Sequence, residues 1–200
     1  MKQNAGILFH GGTMETCARS AYDQEGRRKY LSREEGRRFL DHVVRLPKPS
    51  ALFCLTLYYT GCRISEALAL CRCDLDSEMN VVAIRSLKKR GRKEMRRIPL
   101  PEFLVKELIV NAPTGDGQRL WKFSRTTGWR IIKWVMEAAG IEGIHATSKG
   151  LRHGFGVRGA LGQIPVSLIQ AWMGHADPTT TAIYLNVQDE EERVLIERTW

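Results

Sequence analysis

Side chains able to bind and attack a phosphate diester are concentrated at a few points of the sequence. Lys149 and Arg152 are three residues apart at the start of one expected helix, so they share a face near the positive end of the helix dipole. His175 and Tyr184 follow on later segments, and Arg63 lies upstream at another expected helix start. One guanidinium group can bind two phosphate oxygens at once, and it stays charged at any working pH. A tyrosine hydroxyl beside them could act as the nucleophile.

Each of these residues alone also fits an ordinary structural role. Arg63 could form a surface salt bridge with Glu66, and a tyrosine at helical spacing is more often a core residue than a nucleophile. His175 could cap a helix end, and the other histidines, including His153, are assigned ordinary roles. The chemical interpretation therefore depends on whether the surrounding elements bring the residues together.

The elements that must position these residues are mostly helices. Residues 32–35, SREE, have the form of a capping box, and apolar residues follow at helical spacing until Pro47. Helical patterns recur over 50–60, from Cys62 onward, and over 101–111, 125–139, 148–161, 165–173 and 178–186. Residues 81–84 are the clearest strand, and residues 96–100 are its expected partner. We therefore predict a mainly helical α+β fold with one small antiparallel hairpin.

The turn of this hairpin is strongly basic. Continuing the alternation of Val82 and Ile84 along the strand places Ser86 and Lys88 on its inward face. Across the chain, 31 Lys and Arg residues against 22 Asp and Glu give a net charge of +9, which favours a polyanionic partner. We predict that the other basic residues of the hairpin contact DNA phosphates, namely Lys89, Arg90, Arg92, Lys93, Arg96 and Arg97.

The composition excludes several other classes of protein. Five cysteines without a C-x-x-C pair give neither a disulfide framework nor a zinc site, and three of them lie among apolar residues, as reduced core cysteines do. No apolar run approaches the ~18 residues of a membrane span. The first residues lack the charged start and long apolar region of a signal peptide. We expect a cytoplasmic protein without a bound metal ion or a membrane contact.

Three segments resemble sequence boxes of the tyrosine recombinases, that is, the phage integrases and their relatives. Residues 60–67, TGCRISEA, resemble the T-G-x-R-x-x-E box around the family's first catalytic arginine. Residues 151–155, LRHGF, resemble its L-R-H-x-F box, and residues 173–184 resemble its L-G-H…T-x-x-Y ending. Arg152 precedes His175 by 23 residues and His175 precedes Tyr184 by nine, which are the family's intervals. The match covers residues 32–187 and implies the fold of that family's catalytic domain.

The resemblance implies a role for each matched residue. Arg63 and Arg152 would bind the non-bridging oxygens of the scissile phosphate, and His175 would add a hydrogen bond to it. Tyr184 would attack the phosphorus, leaving a 3′-phosphotyrosyl link and a free 5′-hydroxyl. The bond energy is kept in the phosphotyrosine, so the implied reaction requires neither a metal ion nor another cofactor.

Further residues complete the expected site. Lys88, or Lys89 if the turn is longer than usual, would protonate the leaving oxygen as general acid. Glu66 would orient its neighbours without transferring a proton. Lys149 stands where the family usually has histidine, although the family is also known with lysine there. We expect the Lys149 ammonium to lie inside the active site, beside the hydroxyl of Tyr184.

The chain departs from most relatives at its N-terminus, where they carry a separate helical DNA-clamping domain. Residues 1–30 are glycine-rich and aperiodic, and we expect an arm or a loosely packed segment. Residues 31–188 would form the catalytic domain. Residues 189–200 carry an apolar stripe, which could pack on its own domain or dock on a neighbouring protomer. This organisation resembles short recombinases that consist of a catalytic domain alone.

Three functions compete for this sequence. The first is site-specific recombination of double-stranded DNA by dimers or tetramers assembled on it, in the cytoplasm and associated with the nucleoid. The second is a DNA-binding regulator of the same fold without turnover, which Lys149 and the missing clamp suggest. The third is a monomeric type IB topoisomerase that relaxes supercoils. The intact set of Arg63, Arg152, His175 and Tyr184 favours an enzyme, and the apolar tail favours the recombinase.

Overall fold

The structure is a computed structural model that describes residues 20–86, 94–115, 117–185 and 197. Within those ranges the chain forms eight α-helices and one three-stranded antiparallel sheet. The helices are α1 (Arg33–Val43), α2 (Lys48–Thr60), α3 (Ile64–Ala67), α4 (Glu102–Val110), α5 (Arg125–Ala138), α6 (Ser148–Leu161), α7 (Val166–Met173) and α8 (Thr179–Ala182). The strands are β1 (Leu75–Asp76), β2 (Val81–Arg85) and β3 (Met95–Pro99), in that spatial order. The predicted fold class is confirmed.

Side-chain capping sets where several helices begin. Ser32 caps α1, because its hydroxyl accepts a hydrogen bond from the N–H of Glu35 at 3.2 Å while the Glu35 carboxylate accepts one from the N–H of Ser32 at 3.0 Å. Ser124 and Thr147 accept N–H donors in the same way at the starts of α5 and α6. These bonds satisfy donors that the first helical turn leaves unpaired.

The pairing of β2 with β3 decides which side chains face the core. Val82 pairs with Ile98 and Ile84 pairs with Arg96, so these four side chains share one face. The three apolar members of that face are buried. Because side chains alternate along a strand, Arg97 faces the other way, and its side chain is 61% exposed. Two consecutive arginines therefore lie in different surroundings.

Helix α2 lies at the centre of the main core and contacts α1, α3, α4, α5 and α6. Eight of its 13 residues are buried, as expected for a helix without a polar face. A second, smaller cluster of buried residues includes Tyr30, Val157, Ile169, Met173 and Tyr184. Helix α6 contributes residues to both clusters and so connects the central core with the segment that carries Tyr184.

Several local features differ from the sequence expectations. Within the segment expected to be loosely packed, Ala21 and Tyr30 are buried in the second cluster, whereas residues 24–27 are exposed. The helix expected from Cys62 onward is only the short α3, β1 is an additional strand, and α8 gives way to a 3₁₀ turn at Ile183–Leu185. Residues 1–19 and the expected tail helix at 189–200 lie outside the described residues, apart from Glu197. No helix in the described ranges is long and apolar enough to cross a membrane.

Candidate active site

The turn that ends α2 positions the first arginine. Gly61 adopts a left-handed conformation with φ of 59°, which favours glycine. A Cβ atom on Gly61 would lie 2.6 Å from the ring of Phe155 on α6, so a larger residue would separate the two helices. The Thr60 hydroxyl accepts a hydrogen bond from the N–H of Cys62 at 3.2 Å. The turn thereby places Arg63 at the N-cap of α3.

Glu66 is a buried carboxylate held between two arginines. It is 2% exposed, and it accepts hydrogen bonds from the backbone N–H of Arg63 at 2.8 Å and from the Arg63 guanidinium at 2.9 Å. Arg96 donates to the same carboxylate at 2.6 Å. Burial pushes the pKa of Glu66 upward, but the hydrogen bonds and charges of Arg96 and Arg63 outweigh it and lower that pKa. Glu66 therefore stays ionised and fixes the direction of the Arg63 side chain.

The loop before α6 fixes the start of that helix. Thr147 caps it by accepting a hydrogen bond from the N–H of Gly150 at 3.2 Å. A Cβ atom on Gly150 would overlap the carbonyl oxygen of His145, so the close approach requires glycine. His145 is itself buried, and its Nε2 lies 3.0 Å from a carboxylate oxygen of Glu35 on α1. These contacts fix the N-terminal end of α6, the helix of the LRHGF box.

Arg152 on α6 connects the three sequence boxes through two backbone carbonyls. Its Nη1 donates to the carbonyl oxygen of Gly61 at 2.7 Å, and its Nη2 donates to that of Met173 at 2.6 Å. Burial, together with repulsion from Arg63, lowers the pKa of Arg152 to about 10, which leaves it charged at neutral pH. Each terminal nitrogen carries a second N–H, so the guanidinium is oriented and can still bind an anion.

The hydroxyl of Tyr184 is hydrogen-bonded to His153, a residue for which the sequence predicted no functional role. It lies 3.0 Å from Nδ1 of His153, and Tyr184 is 2% exposed. Burial, reinforced by the positive charge of Arg152, lowers the pKa of His153 to about 4, so this imidazole is neutral at physiological pH. Burial raises the pKa of Tyr184 to about 12, while Arg152 acts in the opposite direction. A neutral imidazole nitrogen next to a phenol can accept a hydrogen bond from its hydroxyl.

A second imidazole and a glycine hold the ring of Tyr184. The His175 ring stacks on it, with centroids 6.4 Å apart and planes 25° from parallel, and Nδ1 of His175 lies 2.9 Å from the hydroxyl of Thr181. Burial and the nearby arginines lower the pKa of His175 to about 4. A Cβ atom on Gly156 would overlap the ring of Tyr184. Gly156 lies one turn after Arg152, so one stretch of α6 serves both the anion site and the tyrosine.

The arginines open onto a cleft of about 880 Å³ between α3, α5 and α6. Its walls include Arg63, Lys149, Arg152 and His153, together with Trp129 of α5. Lys149 lies at this cleft as an exposed side chain and not as the partner of the tyrosine hydroxyl, which is bonded to His153. The nucleophile predicted from the sequence therefore lies directly behind a residue of the cleft wall.

The residues predicted to contact DNA differ in their placement. Arg97 is 61% exposed and pairs with Asp76 at 2.7 Å, so it can face a partner. Arg96 is 9% exposed and occupied by Glu66 and by a backbone carbonyl, so the prediction that it contacts DNA phosphates does not fit its position. The physical reason is the strand alternation that turns Arg96 inward beside Ile98. The remaining predicted residues lie outside the described ranges: Lys88, Lys89, Arg90, Arg92 and Lys93.

The arrangement suits a phosphate diester. Arg63, Arg152 and Lys149 supply positive charge at the cleft, and the nearby carboxylate of Glu66 is already paired with arginines. In the part of the chain that the structure describes, no three His, Cys, Asp or Glu side chains come together as metal ligands. The positive charge at the cleft can bind an anion next to a buried phenol and a neutral imidazole.

This fold and this grouping of three boxes define the class of the tyrosine recombinase catalytic domains. The chain belongs to the phage integrase family, whose model matches residues 29–191. It is 32% identical over 176 residues to a tyrosine recombinase XerA from Thermococcus onnurineus (strain NA1), covering 82% of this chain and 60% of that protein. The family predicted from the three boxes is confirmed.

Solved structures show the same relationship. A crystal structure of XerA recombinase matches with a TM-score of 0.73 and 26% identity, over 85% of this chain and 64% of that one. The pre-cleavage complex of the XerH site-specific recombinase with its difH substrate matches in fold, with a TM-score of 0.66 and 19% identity, over 89% of this chain and 59% of that one. The chain therefore spans about 60% of the length of each of these three relatives.

Proposed function

We propose that this chain catalyses site-specific DNA recombination, cutting and rejoining double-stranded DNA through a 3′-phosphotyrosyl intermediate. The observation that carries the proposal is the pair of hydrogen bonds from Arg152 to the carbonyls of Gly61 and Met173. They tie the first box to the segment just before His175 and leave an oriented guanidinium at the cleft. Family membership and the complex of XerH with difH support DNA as the substrate.

In the proposed reaction, Arg63 and Arg152 bind the non-bridging oxygens of one phosphate and stabilise the charge of the pentacoordinate transition state. The oxygen of Tyr184 forms a bond to phosphorus while its proton passes to Nδ1 of His153. The bond from phosphorus to the 5′ oxygen breaks, and that oxygen takes a proton from Lys88, the general acid predicted from the sequence. Attack by a 5′-hydroxyl of another strand reverses these steps and releases Tyr184.

Recombination also requires that two DNA sites be held together. We include self-association on DNA in the proposal, as dimers or tetramers, and an action at the nucleoid in the cytoplasm. Residues 31–188 are proposed as the catalytic domain and residues 189–200 as the segment that contacts a neighbouring protomer.

The test begins by finding the DNA site. The protein is incubated in EDTA with fragments of the genome that encodes it. DNA that remains covalently attached to the protein after denaturation is isolated and sequenced. Two copies of the recovered site are then placed on one plasmid. We expect junctions in which the two sites have exchanged strands. Relaxed plasmid without such junctions would instead indicate a topoisomerase. Non-covalent DNA binding without any covalent protein–DNA adduct would indicate a regulator.

A further inference from the structure

Arg96 makes three contacts that together link two parts of the candidate active site. Its Nη2 donates to one carboxylate oxygen of Glu66 at 2.6 Å, and its Nη1 lies 3.5 Å from the other. Its Nε donates to the carbonyl oxygen of Trp172 at 2.7 Å. With 9% of the side chain exposed, Arg96 has little surface left for an external partner.

The contact with Trp172 fixes the end of α7. The last carbonyls of a helix lack helical partners and carry partial negative charge, so arginine donors stabilise them. Two successive carbonyls are used here: that of Trp172 accepts from Arg96, and that of Met173 accepts from Arg152. The chain then turns at Gly174 with φ of 63° and reaches His175. The position of His175 therefore depends on both arginines.

The contact with Glu66 determines how much of Arg63 is free. Among the described residues, the charged and titratable groups that interact with Glu66 include Arg63, Arg96 of β3, Arg152 of α6 and the buried thiol of Cys62. Without Arg96, Arg63 would be the one cation among the described residues that hydrogen-bonds to this buried carboxylate, so Glu66 would draw further donors from Arg63. Arg63 also lines the cleft, so fewer of its donors would remain for a phosphate.

We propose that Arg96 is a positioning residue for DNA cleavage, which orients Arg63 through Glu66 and His175 through the end of α7 without touching DNA. The inference rests on the proposed function, because cleavage is the reaction that it serves. It also replaces the phosphate contact that the sequence predicted for Arg96.

The first test separates the cleavage rate from DNA affinity. Arg96→Gln and Arg96→Lys are compared with the control Arg38→Gln. Arg38 also donates to backbone carbonyls at the end of a helix, those of Ala139 and Gly140, but it lies away from the candidate site. We expect Arg96→Gln to lower the single-turnover rate by about 10²-fold, the effect of a misplacement near 1 Å, with unchanged affinity for duplex DNA. Arg96→Lys should recover part of the rate, because an ammonium can pair with Glu66 but cannot also reach Trp172. A wild-type rate in Arg96→Gln, or a matching loss of affinity, would overturn the inference.

The second test needs no DNA, so its result does not depend on the proposed function. If the wild-type protein forms no DNA adduct, the proposed function fails, and the second test still decides whether Arg96 compensates Glu66. Thermal unfolding of Arg96→Gln is compared with wild type at neutral and acidic pH. In the variant the ionised Glu66 is poorly compensated, so the loss of melting temperature should be large at neutral pH. It should shrink as Glu66 becomes protonated, while the loss in Arg38→Gln stays constant. An equal loss at both pH values would mean that Arg96 does not compensate Glu66, and the inference would fail.

Discussion

The hydroxyl of Tyr184 lies 3.0 Å from Nδ1 of His153, the residue that immediately follows Arg152 on α6. The proposed nucleophile and a neutral proton acceptor are thus paired before any DNA is present. The same helix holds the guanidinium that would bind the phosphate, so binding, attack and proton removal depend on one element.

His153 gives the first prediction. Replacing it with alanine removes the acceptor of the Tyr184 proton, and cleavage should slow by roughly 10²- to 10⁴-fold, the usual contribution of general acid–base catalysis. The measurement is the single-turnover rate of adduct formation on a nicked duplex. His42→Gln on α1 serves as the matched control and should cleave normally. A wild-type rate in His153→Ala would assign the proton to another group.

Stability should fall as the solution is acidified. The pKa values of His153 and His175 are lowered to about 4 in the folded protein, from the ordinary 6.5. Between those values the unfolded chain binds more protons than the folded one, so the stability present above pH 6.5 is progressively lost as pH falls toward 4. Urea denaturation across this pH range measures the free energy of unfolding. In His153→Gln this free energy should fall less steeply with decreasing pH. A variant as steep as wild type would show that His153 is not buried in its neutral form.

Lys149 is expected to act at the cleft. Lys149→Ala should lower cleavage by roughly 10²-fold, because it removes a positive charge from the cleft wall where the phosphate would bind. Lys149→His should be milder, because histidine is usual at this position in the family. Lys106→Ala, on the exposed face of α4, is the control. Normal rates in both Lys149 variants would make this lysine an ordinary surface residue.

The two arginines of β3 provide a matched pair for DNA affinity. The side chain of Arg97 is 61% exposed and that of Arg96 is 9% exposed. Each phosphate contact contributes about −0.9 to the slope of log K against log salt concentration. Arg97→Gln should therefore make the slope shallower by about one unit, and Arg96→Gln should leave it unchanged. The basic turn at residues 88–93 is expected to supply further contacts. Equal slopes in wild type and Arg97→Gln would remove Arg97 from the DNA interface.

Much of the fold was accessible from sequence because local chemistry determines it. The capping box at Ser32 and Glu35 forms as its spacing predicts, and the glycine and apolar patterns located most of the helices. The burial of Ala21 and Tyr30 could not be predicted from the sequence, because it depends on contacts with distant helices. Periodicity within a short polar segment carries no information about such contacts.

The candidate site shows the same division. The intervals between the boxes predict Arg152 and Tyr184 as site residues. The partner of the tyrosine hydroxyl is set by how α6 packs against the following segment, which sequence spacing does not report. The inward position of Arg96 had a usable signal. Ile98 is an apolar strand residue two positions later, and alternation places both on the same face.

The central claim is that Tyr184 attacks DNA without a metal ion, and the most direct measurement is the trapping of its adduct. The protein is incubated in EDTA with a nicked duplex of its recovered site, from which the short 5′-hydroxyl strand is lost after cleavage. Even in a site that raises its pKa, a phenol ionises more readily than an aliphatic hydroxyl such as that of Thr179, and it is a better leaving group.

We expect a covalent protein–DNA species whose phosphorylated peptide contains Tyr184, and its complete absence in Tyr184→Phe while duplex binding persists. An adduct in the phenylalanine variant, a modified peptide that maps to another residue, or an adduct that forms only when a divalent metal is added would contradict the account.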